Sequence, residues 1–234
     1  MKDKVCIITG ASGGIGSAIA DALFDAGFRL VLMGRDEKKL QKVANGRDCL
    51  ILPGFLNSDG YINFAIEQTV KTFGGIDILI NNAGVAQSKP FEEISPDEYD
   101  EIMHINARAP FFLCQKALPY LQKSSCGTII NIASVVAHKG YALQSAYAAS
   151  KHALLGFSKS LAKEYAEKGV RVHVISPGAV FTDMVKISRP DLTGEGMLMP
   201  SDIAETVMYL IKMRNTASVA DEIELHRETK EPFM

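Results

Sequence analysis

Eight residues near the start, Thr9-Gly10-Ala11-Ser12-Gly13-Gly14-Ile15-Gly16, constrain the fold more than any other segment. An apolar run at residues 4–9 leads into them, and an amphipathic stretch at residues 14–26 follows. A strand that turns through glycines into a helix sets the helix N-terminus against the loop. That terminus has unpaired amides and the positive end of the helix dipole. Glycines in such a loop let backbone amides approach a pyrophosphate. A glycine pattern alone is a weak signal; strand, loop and helix in the right order make it strong.

The rest of the chain continues this alternation. Apolar runs predict strands at residues 4–9, 30–33, 49–52, 76–80, 128–132, 170–175 and 222–226. They are mostly continuous in Val, Ile and Leu, as in a sheet covered on both faces. Amphipathic stretches between them predict helices at residues 14–26, 37–45, 60–73, 96–122, 145–168 and 201–213. Asp36 is placed to cap the second helix. Ser95, Pro96 and Glu98 form a cap with proline at the first helical position. Gly27 and Gly169 stand where a helix end wants a left-handed residue. The pattern is that of an α/β chain with a parallel sheet, and 234 residues without a linker or repeat predict a single domain.

Composition excludes several function classes. A net charge of −2 does not suggest nucleic acid or an anionic membrane surface as a partner. No apolar run approaches the roughly 18 residues of a membrane span, and Met1 to Ile8 runs straight into the glycine loop rather than forming a signal peptide. Cys6, Cys49, Cys114 and Cys126 are far apart and predict reduced thiols in a cytoplasmic protein. The five histidines do not pair at metal-ligand spacing, so no metal site is expected.

Two further groups carry chemistry. The second strand ends in Met33-Gly34-Arg35-Asp36. An acidic residue at this point would bind the adenosine ribose hydroxyls of NAD; a basic one would accept the 2′-phosphate of NADP. Gly34 leaves room and Arg35 offers a forked cation, while Asp36 is better explained as a helix cap. NADP is therefore expected over NAD. Tyr147 and Lys151 lie four apart on one predicted helix face, with Ser134 thirteen residues before the tyrosine. An ammonium there favours the phenolate and draws the tyrosine pKa down from about 10.

With these residues the chain resembles the short-chain dehydrogenase/reductase family along nearly its whole length. Thr9–Gly16 fits the family's T-G-x-x-x-G-x-G segment, and Asn81-Asn82-Ala83-Gly84 its N-N-A-G segment. Pro177-Gly178 followed by Thr182 looks like its P-G-x-x-x-T segment. The resemblance implies a Rossmann fold with a doubly wound seven-stranded parallel sheet. It implies catalytic roles for Asn106, Ser134, Tyr147 and Lys151. It assigns cofactor contacts to Gly10, Ser12, Gly14, Ile15, Gly16, Arg35, Asn82, Ala83, Gly84, Pro177, Gly178, Val180 and Thr182, shared with Tyr147 and Lys151. Val136 and Gln144 are expected to face a small carbonyl or alcohol substrate, with Tyr141 and Phe181 as further candidates. The long helices at residues 96–122 and 145–168 imply a homodimer or homotetramer.

The chain departs from the family pattern in three places. Pro53-Gly54-Phe55-Leu56-Asn57 lacks the acidic residue many members carry near the adenine. The stretch at residues 183–199, a cover over the substrate in this family, is short and implies an open pocket. The C-terminus lacks the frequent D-G-G ending. Reduction of a 3-oxoacyl acyl-carrier-protein substrate is one alternative, with Lys123 and Lys168 as docking cations, although Thr128 stands where such reductases often carry a basic residue. A small 3-hydroxy acid dehydrogenase is another, and an NADP-binding regulator is the non-enzyme alternative. Extended epimerases and dehydratases need a larger C-terminal region.

Overall fold

The computed structural model describes residues 1–183, 185 and 194–228. The strands are β1 (Val5–Thr9), β2 (Arg29–Gly34), β3 (Cys49–Pro53), β4 (Ile78–Asn81), β5 (Thr128–Ile132), β6 (Arg171–Pro177) and β7 (Glu222–Leu225). They form one parallel sheet in the order β3-β2-β1-β4-β5-β6-β7. The helices are α1 (Gly14–Asp25), α2 (Glu37–Ala44), α3 (Asp59–Phe73), α4 (Pro96–Met103), α5 (Ala109–Leu121), α6 (Ser145–Tyr165) and α7 (Pro200–Met213).

Alternation along each strand divides the core in two. Cys6 and Ile8 of β1 pack with Leu23 of α1, Leu40 of α2 and Val207 of α7. Val5 and Ile7 point the other way, toward Ile62 of α3, Leu113 of α5 and Leu161 of α6. With helices on both faces the strands have no solvated side, which explains their unbroken apolar runs. Both directions of winding start between β1 and β4, so the loops leaving those strands diverge and open a crevice at their carboxyl ends. Among the described residues no helix is long and apolar enough to cross a membrane. All four cysteines are free.

Local signals act as the sequence implies at most boundaries. The Asp36 carboxylate accepts from Lys39 N–H at 3.1 Å. Ser95 and Glu98 form the reciprocal cap. Gly27 and Gly169 both hold φ +80. The last helix starts at Pro200, one residue before the expected Ser201, because Asp202 reaches back to the Met199 N–H at 2.7 Å.

The expected single helix over residues 96–122 is instead interrupted by a π-turn at His104–Arg108. Pro110 causes it. Proline has no N–H for the Asn106 carbonyl four residues back, and its ring crowds that oxygen. The chain widens, and Ala109 N–H bonds to the His104 carbonyl five residues back. Asn106 lies within this turn and is fully buried.

A buried polar chain ties the two central strands to α6. Asn81 donates to Asn131 at 2.8 Å, and Asn131 donates to Ser158 at 2.7 Å. Just before β5, Gly127 runs against the last turn of α5, where a Cβ would overlap the Leu121 carbonyl. Replacing Gly127 with alanine must displace backbone at a sheet entry. The expected cost is about 2–3 kcal/mol, lowering Tm by roughly 4–10 °C. Thermal unfolding followed by circular dichroism checks this; an unchanged Tm would show that the entry has slack.

Candidate active site

The loops after β1 and β4 are joined by hydrogen bonds at the crevice. Thr9 Oγ1 accepts from the Asn82 and Ala83 amides, both at 3.0 Å. The Asn82 side chain donates to the Thr9 and Gly10 carbonyls at 3.0 and 3.1 Å. This closeness leaves no room for side chains. Gly10 holds φ +63, and a Cβ on it would stand 2.8 Å from the Ala83 Cα. A Cβ on Gly16 would overlap the Gly10 carbonyl and reach 2.7 Å from Asn82 Nδ2. Gly14 lies beneath Thr182, 3.0 Å from a Cβ position to its methyl.

Helix α1 begins without a side-chain cap and with no acidic residue in its first turn. Its leading amides and dipole end therefore face the crevice unneutralised. This cradle fits the pyrophosphate of a dinucleotide, as the glycine pattern implies. At the end of β2, a Cβ on Gly34 would lie 3.1 Å from Ser12 Oγ. Arg35 next to it is exposed and bonds to no described residue. On the adenine side, the Tyr61 ring packs where a Gly54 side chain would be, and its hydroxyl donates to the Leu52 carbonyl at 2.6 Å.

Beyond the cradle lies a cavity of about 360 Å³. Ser134, Tyr147 and Lys151 meet in it, with Val136, Tyr141 and Gln144 on its wall. Ile15, Asn82, Gly84, Pro177, Gly178, Val180 and Thr182 line it too. Gly10, Ser12, Gly14, Gly16, Arg35 and Ala83 lie outside this cavity, along the loops leading to it. Phe181 packs instead against Gly194. Residues 184 and 186–193, most of the expected cover, fall outside the described residues.

Two residues beyond β5, Ser134 is extended, its Oγ accepting from Val136 N–H at 3.3 Å. Before α6, Leu143 sits at φ +66, a left-handed state costing a β-carbon residue about 1 kcal/mol or more. Its carbonyl accepts from Lys89 N–H at 2.9 Å, which pins the turn into the helix. Lys151 is 4% exposed, and its ammonium donates to the Ile132 carbonyl at 2.8 Å. Burial lowers its pKa to about 8.

The expected depression of the tyrosine pKa does not occur here. Desolvation raises the Tyr147 phenol above its ordinary value, and a hydrogen bond with Ser134 offsets part of that rise. The Lys151 ammonium is turned toward Ile132 and lies 5.9 Å from the Tyr147 ring centre. The result is a neutral phenol beside a hydroxyl, with a cation behind it. Such a group can give a proton to a carbonyl oxygen.

Asn106 does not reach the cavity. Its amide donates to the Val85 carbonyl at 2.9 Å and Ser150 Oγ at 3.0 Å, and its oxygen accepts from Val85 N–H at 2.8 Å. Ser150 in turn donates to the Tyr147 carbonyl at 2.7 Å. Asn106 thus braces the helix bearing Tyr147 against the loop after β4.

Sequence reasoning missed His226 and Arg227, which also line the cavity. They follow β7 directly, and the Leu225 carbonyl accepts from Gly178 N–H at 2.8 Å, holding the two strand ends together. Their position, at the end of the last predicted strand (His226) and just after it (Arg227), was the available signal. Lys123 and Lys168 lie in turns that enter β5 and β6, at the amino edge of the sheet, opposite the cavity. They do not form a docking patch at its mouth.

Residues 4–193 match the family model described as short chain dehydrogenase. An uncharacterized oxidoreductase of Staphylococcus aureus strain USA300 is 37% identical over 214 residues, covering 90% of this chain and 92% of the relative. The crystal structure of a metagenomic short-chain oxidoreductase in complex with NADP superposes with a TM-score of 0.83 at 31% identity, over 97% of this chain and 99% of that one. A 3-ketoacyl-(acyl-carrier-protein) reductase from Brucella melitensis, complexed with NADH, gives 0.85 at 27% identity, over 95% and 97%. The crevice, the glycine cradle and these likenesses agree: the chain belongs to the short-chain dehydrogenase family of oxidoreductases.

Proposed function

We propose that this protein interconverts a small carbonyl compound and its alcohol, with NADP(H) as cofactor and Tyr147 as acid and base. The observation that carries the reading is the meeting of Ser134, Tyr147 and Lys151 in one cavity beside an uncapped glycine cradle. The nicotinamide cofactor supplies the hydride. Tyr147 gives its proton to the carbonyl oxygen as the carbon is reduced. Ser134 donates a hydrogen bond to the same oxygen and stabilises its developing charge. Lys151 spends one of its three N–H groups on Ile132, leaving two for the cofactor's ribose and for stabilising the phenolate. Asn106 keeps Tyr147 in position through Ser150 and the helix backbone.

Preference for NADP rests on Arg35 and Asp36. The Asp36 carboxylate is engaged at the start of α2, whereas the Arg35 guanidinium is exposed and unpaired among the described residues. The NADP complex of the metagenomic relative favours this reading; the NADH complex of the Brucella reductase represents the other choice. Assembly into a dimer or tetramer is supported by Phe111, exposed on α5 and edge-to-face with Phe157 of α6.

Tyr147→Phe is expected to lower turnover by about a thousandfold while leaving NADPH binding intact. A carbonyl panel assayed by cofactor absorbance, with NADPH binding by fluorescence, tests this; substantial residual turnover would defeat the acid–base assignment. Arg35→Asp should shift the ratio of catalytic efficiencies from NADPH toward NADH by at least about tenfold, and an unchanged ratio removes the phosphate role.

The pH dependence has a definite sign. Tyr147 is held neutral by its raised pKa, so the proton donor stays loaded through neutral pH. Lys151 carries its charge below about 8 and loses it above. Reductive kcat/KM for the cofactor, which reports the free protein, should be level at neutral pH and fall with a midpoint near 8. Alcohol oxidation needs the phenolate and should rise with pH. A reductive profile still climbing through pH 9 would contradict this ordering.

A further inference from the structure

The cavity has a charge imbalance that the proton-transfer reading does not use. Lys151, His226 and Arg227 are the ionisable cationic or basic groups on its wall, and no described Asp or Glu lines it. Lys151 is engaged by Ile132. Arg227 is half-buried and makes no hydrogen bond or ion pair with any described residue. His226 keeps its Nδ1 buried without a hydrogen-bond partner, while Nε2 stands 3.7 Å from Glu224.

The nearby carboxylates of Glu222 and Glu224 pair with groups other than Arg227. Glu222 accepts from Ser176 at 2.7 Å and pairs with His138 at 2.6 Å. Glu224 lies between His138 and His226, 3.7 Å from each. A guanidinium unpaired among the described residues, on the wall of a partly desolvated pocket, concentrates anions there, and its planar fork matches a carboxylate bidentately. The remaining wall around it, including Val136, Tyr141 and Gln144, is uncharged.

We propose that Arg227 is the specificity-determining residue of this site and that it binds a carboxylate on the substrate. The substrate pair is then a short oxo acid and its hydroxy acid. This deepens the oxidoreductase reading and rests on it for the reacting group, but not for the anion contact. Arg227 holds the carboxylate while the carbonyl faces Tyr147 and Ser134. The Leu225–Gly178 backbone bond fixes the arginine's strand end relative to the β6 loop.

Two measurements test it. Malonate, an unreactive dicarboxylate, is titrated calorimetrically into the protein loaded with NADPH. It should bind the native protein, bind Arg227→Met on the order of 30-fold more weakly, and bind Arg227→Lys with intermediate affinity, with NADPH affinity the same in all three. In parallel, acetoacetate and levulinate are compared with their methyl esters. The acids should be reduced with higher kcat/KM, mainly through lower KM, and Arg227→Met should remove that advantage without slowing the esters. Equal malonate binding in the native and methionine forms overturns the proposal. So does a loss of NADPH affinity, which would give Arg227 to the cofactor. Esters reduced as well as acids would sink the acid assignment while leaving the oxidoreductase reading intact. Arginine-dependent malonate binding without turnover of any carbonyl would uphold the anion site and defeat the hydride-transfer reading.

Discussion

The site depends first on how closely the loops after β1 and β4 approach each other. Asn82 and Ala83 donate four hydrogen bonds to Thr9 and Gly10 across the point where the strand order reverses. That contact leaves no space for a Cβ on Gly10 or Gly16. It also sets the crevice width, because α1 leaves from one loop and the Gly84–Val85 segment from the other. Asn106 then carries the spacing across to α6 through Val85 and Ser150. Displacing β4 relative to β1 would therefore move Tyr147 as well as the cradle.

Much of this was legible in the chain because the controlling physics is local. Glycines that must accept close backbone contact, caps such as Asp36 and Ser95, and left-handed helix ends at Gly27 and Gly169 act over a few residues. The strands were legible because burial on both faces demands continuous apolar runs. The π-turn was missed although its cause, Pro110, lies in plain view. Helical periodicity continues on either side of it, and one widened turn hardly alters the pattern. That turn is where Asn106 is directed inward.

The remainder depended on distance between segments far apart in sequence. The sign of the Tyr147 shift follows from desolvation by the packed cavity and from the direction of the Lys151 ammonium. Spacing along a helix encodes neither. A four-residue interval brings the two side chains to one face, yet the Ile132 carbonyl draws the cation to the end of β5. His226 read as the end of a strand and Arg227 as the start of a polar tail, because only the β6–β7 pairing brings them to the cavity. Lys123 and Lys168 show the reverse. They are basic and exposed, but the parallel topology puts every turn that enters a strand at the edge away from the crevice.

Lys151 shows what the site costs the fold. A lysine whose pKa falls from 10.5 to about 8 is disfavoured in its charged form by roughly 3 kcal/mol at neutral pH. The folded pKa lies below the unfolded one, so this penalty is full below about 8 and is relieved as pH rises toward 10.5. One hydrogen bond to Ile132 offsets only part of it. The apolar packing on both sheet faces and the Asn81–Asn131–Ser158 chain supply the stability that keeps the cation buried. A methionine at this position would remove the penalty but orphan the Ile132 carbonyl, which costs a similar amount. Packing alone does not explain the charge, whose place beside a phenol is what the proposed proton transfer would use.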